Sequence, residues 1–183
     1  MRYTLMLAHP EARLPLLALA LALVLSVANA AAQDFPKLKS GLWTSTTTTQ
    51  GREKGGERPS LLCLDDSVQR EMYQMSVGMM AGLCSKHDLK VTGNKVTTDA
   101  VCDLGVTKMR SSSVMTLSGD SAYHTEVRAS FDPPLKGTPK DSVTVIDGKH
   151  VGDCKAGQQP GDMTLPNGQH MNIRNWMSGA KKG

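Results

Sequence analysis

The sequence predicts a mainly β protein, built as an antiparallel meander that forms a curved sheet or an up-and-down barrel, with one short helix inserted between early strands. Three observations lead to this prediction. Short segments between Leu89 and Asp153 alternate apolar and polar residues with a period of two, which is typical of half-buried strands. Turn residues separate these segments at short intervals, as in consecutive hairpins. Residues 66–83, in contrast, have helical spacing.

Two strands are predicted before the helix. Residues 41–49 begin with Gly-Leu-Trp and continue as a run of threonines, and β-branched threonine favours strands. A polar, glycine-rich loop follows at residues 51–57, and residues 58–64 form the second strand. Trp43 is expected to plug the core at the end of the sheet, with contact to a ligand as the alternative.

The helix is predicted over residues 66–83. Asp66 and Gln69, three positions apart, resemble a capping box at its start. The apolar residues that follow are spaced so that they share one face, which we expect to be buried. This stripe consists of Val68, Met72, Met75, Met79 and Leu83. Met80 lies off the stripe.

Two hairpins and a final strand are predicted after the helix. The first hairpin, turned by Gly-Asn, pairs Val91 with Val96. The second consists of residues 109–117 and 123–131, whose apolar faces match only if a three-residue loop joins them, with Gly or Asp at positive φ. A loop rich in Pro, Gly and Lys then leads to the last strand, residues 142–153.

The chain divides into four predicted parts. Residues 1–32 are a signal peptide, residues 33–40 are a leader, and residues 41–155 form a single β-rich domain. Residues 156–183 are dominated by Gly, Pro, Asn and Gln and are expected to form a mobile C-terminal tail.

The signal peptide is indicated by arginines near the start, an apolar run over residues 14–27 and alanine-rich cleavage sites at residues 28–32. A membrane span needs about 20 apolar residues, which is more than this run contains. Cleavage after Ala30 or Ala32 would leave no stable membrane span. We therefore expect a periplasmic or secreted protein.

The four cysteines of the chain predict two disulfides, because an even number of cysteines in an exported protein is typical of disulfide pairing. Their wide spacing is unlike that of a zinc site. In the first hairpin, an unbroken register places Cys84 one residue away from the position opposite Cys102, which would put the two side chains on opposite faces. We therefore expect the pairs Cys63–Cys84 and Cys102–Cys154.

Short motifs are spread along the predicted domain: Gly41-Leu42-Trp43, Cys63-Leu64, Cys84, Gly93-Asn94-Lys95-Val96, Cys102, Ser118-Gly119-Asp120-Ser121 and Gly148-Lys149-His150-Val151-Gly152-Asp153-Cys154. Their order and spacing resemble a family of exported bacterial proteins called domain of unknown function 3617. The resemblance covers about residues 40–155 and leaves the tail outside. Because that family has no assigned activity, the resemblance implies the compartment and the fold, and no catalytic residue.

Three functions stay open. The first is a non-catalytic binding or interaction module, in which the apolar face of a cupped sheet holds a small apolar ligand or a protein partner. The second is a Cu(I) site, since soft thioethers suit that metal and four methionines are clustered, although methionines also fill cores. The third is an enzyme. The clustered methionines are Met72, Met75, Met79 and Met80.

Catalysis, cofactors and nucleic acid are not expected. The chain lacks the G-x-S-x-G, H-E-x-x-H and phosphate-loop motifs, so we predict no catalytic residue and no cofactor. Its formal net charge of +4 is small and scattered, which does not predict a nucleic-acid surface.

Overall fold

The computed structural model describes residues 35–50, 58–137 and 139–180. The predicted signal peptide, residues 1–32, and the predicted loop at residues 51–57 lie outside the described residues, as does the first part of the leader.

Nine strands and two helices make up the described residues. The strands are β1 Gly41–Thr49, β2 Ser60–Leu64, β3 Cys84–Thr92, β4 Lys95–Asp103, β5 Lys108–Ser118, β6 Ala122–Asp132, β7 Asp141–Gly152, β8 Asp162–Thr164 and β9 His170–Asn172. The helices are α1 Asp66–Leu83 and α2 Ile173–Ala180.

The strands of the described residues form one open antiparallel sheet in the order β3-β4-β5-β6-β7-β1-β2-β8-β9. Strands β3 to β7 are the predicted meander. Helix α1 connects β2 to β3, and five strands lie between these two in the sheet. The helix therefore crosses one face of the sheet to join them. The predicted mainly β fold, with a helix between early strands, is confirmed.

The predicted hairpin registers are confirmed. Strands β3 and β4 pair Val91 with Val96. Strands β5 and β6 pair Leu117 with Tyr123 and Ser118 with Ala122, which leaves the three residues 119–121 in the loop between them. Gly119 in that loop has a φ of 64°, a conformation that glycine adopts without steric cost. Matching the apolar faces was therefore enough to predict the loop length.

Helix α1 has the predicted bounds but a different cap. The carboxylate of Asp65 accepts a hydrogen bond from the backbone N–H of Val68 at 2.8 Å, so Asp65 is the N-cap residue. The predicted capping box is wrong, because Gln69 turns away from the helix start. Its side-chain amide exchanges two hydrogen bonds of 2.8 Å with the backbone of Leu38, which fastens the leader to the helix.

The C-terminal segment differs from the mobile tail that its composition predicts. Strand β8 pairs with β2 and β9 pairs with β8, so the described part of residues 156–183 extends the sheet. Ile173, at the start of α2, is 7% exposed and packs with Trp43, Leu64 and Val68. A few apolar residues among the glycines and prolines are thus enough to dock this segment, because β2 offers it an unpaired edge.

The four cysteines form two disulfides, Cys63–Cys154 and Cys84–Cys102, so both predicted pairings are wrong. The prediction assumed an unbroken ladder between β3 and β4. The ladder instead shifts between Cys84 and Lys86, so that Ser85 is an extra residue and Cys84 lies opposite Cys102. Such a bulge returns the side chain of Cys84 to the face that carries Cys102.

Candidate functional site

Helix α1 covers one face of the sheet, which we call the inner face. The strand register places Leu89, Thr98, Ser113 and Val127 side by side on this face, on strands β3 to β6. Side chains alternate along a strand, so the neighbours of these residues point to the opposite, outer face. The inner face carries the predicted apolar stripes of both hairpins.

A cavity of about 440 Å³ lies between α1 and the inner face. Its lining is mostly apolar and contains no Asp, Glu, Lys or Arg. Strands β1 to β6 and the helix all contribute to it. The lining residues are Phe35, Leu38, Trp43, Ser45, Leu62, Leu64, Gln69, Met72, Tyr73, Ser76, Met80, His87, Leu89, Val96, Thr98, Ser113, Met115, Tyr123 and Thr125.

Trp43 and Tyr123 form one end of the cavity. Their rings stack with centroids 5.8 Å apart, and the indole N–H of Trp43 donates to the backbone carbonyl of Lys39 at 2.8 Å. Trp43 is 4% exposed and belongs to the core cluster. The prediction that it plugs the core is confirmed, and its ring also faces the cavity.

Gly148 makes room for the ring of Tyr123. The two residues lie opposite each other on β7 and β6, and a Cβ at position 148 would be 2.2 Å from the ring. Burial, and secondarily the negative charge of Asp147, raise the pKa of Tyr123 above its ordinary value. The phenol is therefore neutral at physiological pH and keeps its O–H as a donor.

Thr125 lines the cavity and has an unpaired hydroxyl. The residue is 7% exposed, and its Oγ1 has no hydrogen-bond partner in the part of the chain that the structure describes. The other buried threonine, Thr107, donates instead to the backbone carbonyl of Pro133 at 2.7 Å. An unpaired buried hydroxyl costs free energy, and a hydrogen-bond partner for Thr125 would remove this cost.

The methionines of α1 fall into different environments. Met72 and Met75 pack against the core cluster, as predicted for the stripe. Met79 is 47% exposed, so its predicted place in the buried stripe is wrong. Met80, predicted to lie off the stripe, lines the cavity with its sulfur 3.4 Å from that of Cys84. At the cavity, Met80 rather than Met79 therefore faces the sheet, one residue later than the helical spacing predicted.

This distribution bears on the alternative function, a Cu(I) site built from the clustered methionines. The four methionines do not share one environment: Met72 and Met80 line the cavity, Met75 packs against the core cluster and Met79 is exposed. Among the described residues, no group of three or more His, Cys, Asp or Glu side chains is placed to hold a metal ion.

A second depression, of about 620 Å³, has a polar lining with charges of both signs. Arg128 forms an ion pair with Glu126 at 2.6 Å, and Lys86 forms one with Asp88 at 3.2 Å. These side chains lie on the outer face and are largely exposed, where ion pairs contribute little to binding or stability. The cavity under α1 is therefore the candidate site.

Sequence patterns pointed to part of this lining. Tyr123 and Thr125 lie on the predicted apolar face of their strand, but a threonine within such a stripe gave no sign that its hydroxyl would be unpaired. His87 and Met80 were missed, because their positions depend on how the helix and β3 meet. His124 lies on the outer face, where its Nδ1 is 2.7 Å from a carboxylate oxygen of Asp147.

Comparison with known proteins identifies the family. The model of a family described as "protein of unknown function (DUF3617)" matches residues 38–154, which is more than half of the chain. No curated protein and no solved structure matches. Within the described residues, neither helix has the length and apolar character that crossing a membrane requires. The two disulfides are typical of proteins in an oxidising environment.

Proposed function

This chain belongs to the DUF3617 family of proteins of unknown function, and from the geometry of its cavity we propose that it is a non-catalytic binding protein for a small apolar ligand. The ligand would lie between α1 and the inner face. The observation that supports this most is the cavity itself: about 440 Å³, with a lining in which apolar side chains dominate. Small-molecule sites have volumes of about 300–1,000 Å³ and linings of this kind.

The polar groups of the lining favour binding over catalysis. They are mainly hydroxyls, such as those of Ser45, Thr98 and Ser113, with one imidazole from His87. General acid–base chemistry usually relies on a carboxylate, lysine or histidine set beside a partner that tunes its pKa. The lining offers no Asp, Glu, Lys or Arg for that purpose. Apolar contact would instead stabilise a bound ligand by about 25 cal/mol for each Å² removed from water.

We further propose that the protein is exported, as a periplasmic or secreted protein, after cleavage of a signal peptide. The predicted signal at residues 1–32 and the two disulfides support this. Expression of the full chain in a Gram-negative host, followed by intact-mass measurement of the periplasmic fraction, tests it. We expect a chain that begins after Ala30 or Ala32. A full-length chain retained in the cytoplasm would contradict the proposal.

The binding function can be tested with the hydrocarbon fluorophore diphenylhexatriene, which fluoresces when it leaves water for an apolar site. Ser113 lines the cavity, so the phenyl ring of Ser113→Phe would occupy the space of the ligand. Ser112, the next residue, lies on the outer face, and Ser112→Phe is the matched control.

We expect the parent protein and Ser112→Phe to bind the fluorophore, and Ser113→Phe to lose at least about tenfold in affinity. Circular dichroism and thermal unfolding establish that both variants are folded. If folded Ser113→Phe binds as tightly as the parent, or if the parent does not bind at all, the proposed function is wrong.

A further inference from the structure

We propose that the ligand is a neutral amphiphile, with an apolar body that fills the cavity and one uncharged oxygen, of an alcohol or a carbonyl group, that forms a hydrogen bond with the hydroxyl of Thr125. This inference rests on the proposed function and adds the chemical class of the ligand to it. Two observations support it: the unpaired hydroxyl and the lack of charged side chains in the lining.

The surroundings of Thr125 explain why its hydroxyl is unpaired. On the neighbouring strands, Met115 and Ile146 lie directly opposite it. Along β6, the next inner-face positions are Tyr123 and Val127. Three of these four neighbours have no oxygen or nitrogen in their side chains. Oγ1 is fully buried, so the Thr125 side chain must rotate about χ1 to turn its hydroxyl into the cavity. A ligand oxygen would then supply the hydrogen bond that these neighbours do not provide, and the hydroxyl can act as donor or acceptor.

The lining also limits the charge of the ligand. A carboxylate or an ammonium group in this cavity would lose its hydration, and no Asp, Glu, Lys or Arg lines the cavity to compensate it. The phenol of Tyr123 is likewise uncharged at neutral pH, and burial, followed by the charge of Asp147, raises its pKa further above the ordinary value. It offers a second uncharged hydrogen-bonding group in the same lining. A head group with an uncharged oxygen therefore loses less hydration free energy in this cavity than a carboxylate or an ammonium group.

Three probes with an unbranched chain of twelve carbons separate the possibilities: dodecanol, dodecanoate and dodecyltrimethylammonium. Trp176→Phe leaves Trp43, which lines the cavity, as the single tryptophan of the chain, so its fluorescence reports binding. In this background Thr125→Val removes the hydroxyl and keeps the shape of the side chain. Thr98→Val is the matched control, because Thr98 also lines the cavity and its hydroxyl is not a buried, unpaired group.

We expect dodecanol to bind at least about tenfold more tightly than either charged probe at neutral pH. Thr125→Val should weaken dodecanol binding by about three- to tenfold, the value of one hydrogen bond, while Thr98→Val changes it by less than about twofold. Binding of diphenylhexatriene, which has no oxygen, should be the same in all three proteins.

The inference is overturned if a charged probe binds as tightly as dodecanol, or if Thr125→Val binds dodecanol as tightly as its parent. In either case, continued binding of diphenylhexatriene would leave the proposed function intact. If neither diphenylhexatriene nor dodecanol binds the parent protein, the proposed function fails and the inference fails with it.

Discussion

At the scale of single residues, the end of the cavity is shaped by two facing residues, one without a side chain and one with a large ring. Gly148 has no side chain, and the ring of Tyr123 occupies the space above it while stacking on Trp43. The sheet therefore gains a large aromatic contact without overpacking. The opposite situation holds at Thr125, where the side chain fits but its hydroxyl is unpaired.

Thr125→Val is predicted to stabilise the ligand-free protein. Removing an unpaired buried hydroxyl removes its desolvation cost, and the gain should be on the order of 1 kcal/mol in the free energy of unfolding. Urea denaturation of ligand-free protein measures it, with Thr98→Val as the control that should change little. A loss of stability in Thr125→Val would mean that the hydroxyl has a partner in solution.

Gly148→Ala is predicted to destabilise the protein by about 1–3 kcal/mol, because the added Cβ would overlap the ring of Tyr123. In a Tyr123→Leu background the same substitution should cost much less, since a leucine side chain can move aside. A double-mutant cycle of unfolding free energies measures the difference. Equal costs in the two backgrounds would show that the ring does not lie over Gly148.

At the scale of the elements, α1 is both part of the core and the roof of the cavity. It packs on the core cluster of β1 and β2 through Val68, Met72 and Met75. Residues along most of its length line the cavity, from Gln69 to Met80. Helix α2 holds the first half of α1 in place: Nε of Arg174 donates to the carboxylate of Glu71 at 2.8 Å, and the guanidinium also donates to Ser67.

The two methionines Met75 and Met79 should respond differently to truncation. Met75→Ala removes a side chain that packs against the core and should cost about 2 kcal/mol or more, whereas Met75→Leu should cost less than about 1.5 kcal/mol. Met79→Ala changes an exposed side chain and should stay within about 0.5 kcal/mol. Equal costs for the two alanine variants, in thermal or urea unfolding, would contradict this orientation of α1.

The start of α1 should make stability depend on pH. Burial alone would raise the pKa of Asp65, but hydrogen bonds from the Val68 N–H and the Ser67 hydroxyl, with the positive charge of Arg174, outweigh it and hold this pKa below its ordinary value. The stabilisation is complete above the unfolded pKa of about 3.9 and is lost as the pH falls through the lowered folded pKa.

Asp65→Asn tests this, because asparagine also caps helices but does not titrate. The unfolding free energy of the parent should fall more steeply on acidification than that of Asp65→Asn, in urea titrations at a series of acidic pH values. Parallel curves for the two proteins would show that Asp65 does not contribute to the pH dependence.

At the scale of the whole molecule, the two disulfides cross-link the strands that lead into and out of α1. Cys63 lies in β2 just before the helix and is bonded to Cys154, while Cys84 follows its last residue and is bonded to Cys102. The segments on both sides of α1, the helix that covers the cavity, are thus each cross-linked to another part of the chain. We expect non-reducing peptide mapping to show these two pairs. A peptide that joins Cys63 to Cys84 would contradict the fold.

Much of this architecture could be predicted, and the failures have physical causes. Alternation along β3 to β6 predicted both registers and the face that carries Thr125, because one buried face specifies a register strongly. The bulge at Ser85 leaves no mark in composition, so the disulfide pairing could not be predicted. Strands β8 and β9 have three residues each, which is too short for a period to be recognised. Whether Met79 or Met80 faces inward depends on what α1 packs against, which the helical period does not specify.

The most direct measurement of the central claim is a crystal structure of the protein grown with dodecanol. We predict electron density for the dodecyl chain between α1 and the inner face, in contact with Met72, Met80 and Met115. The alcohol oxygen should lie within hydrogen-bonding distance of Oγ1 of Thr125. Dodecanol bound only on the outer face, or side chains that fill the space under α1 so that no ligand can enter, would contradict the account.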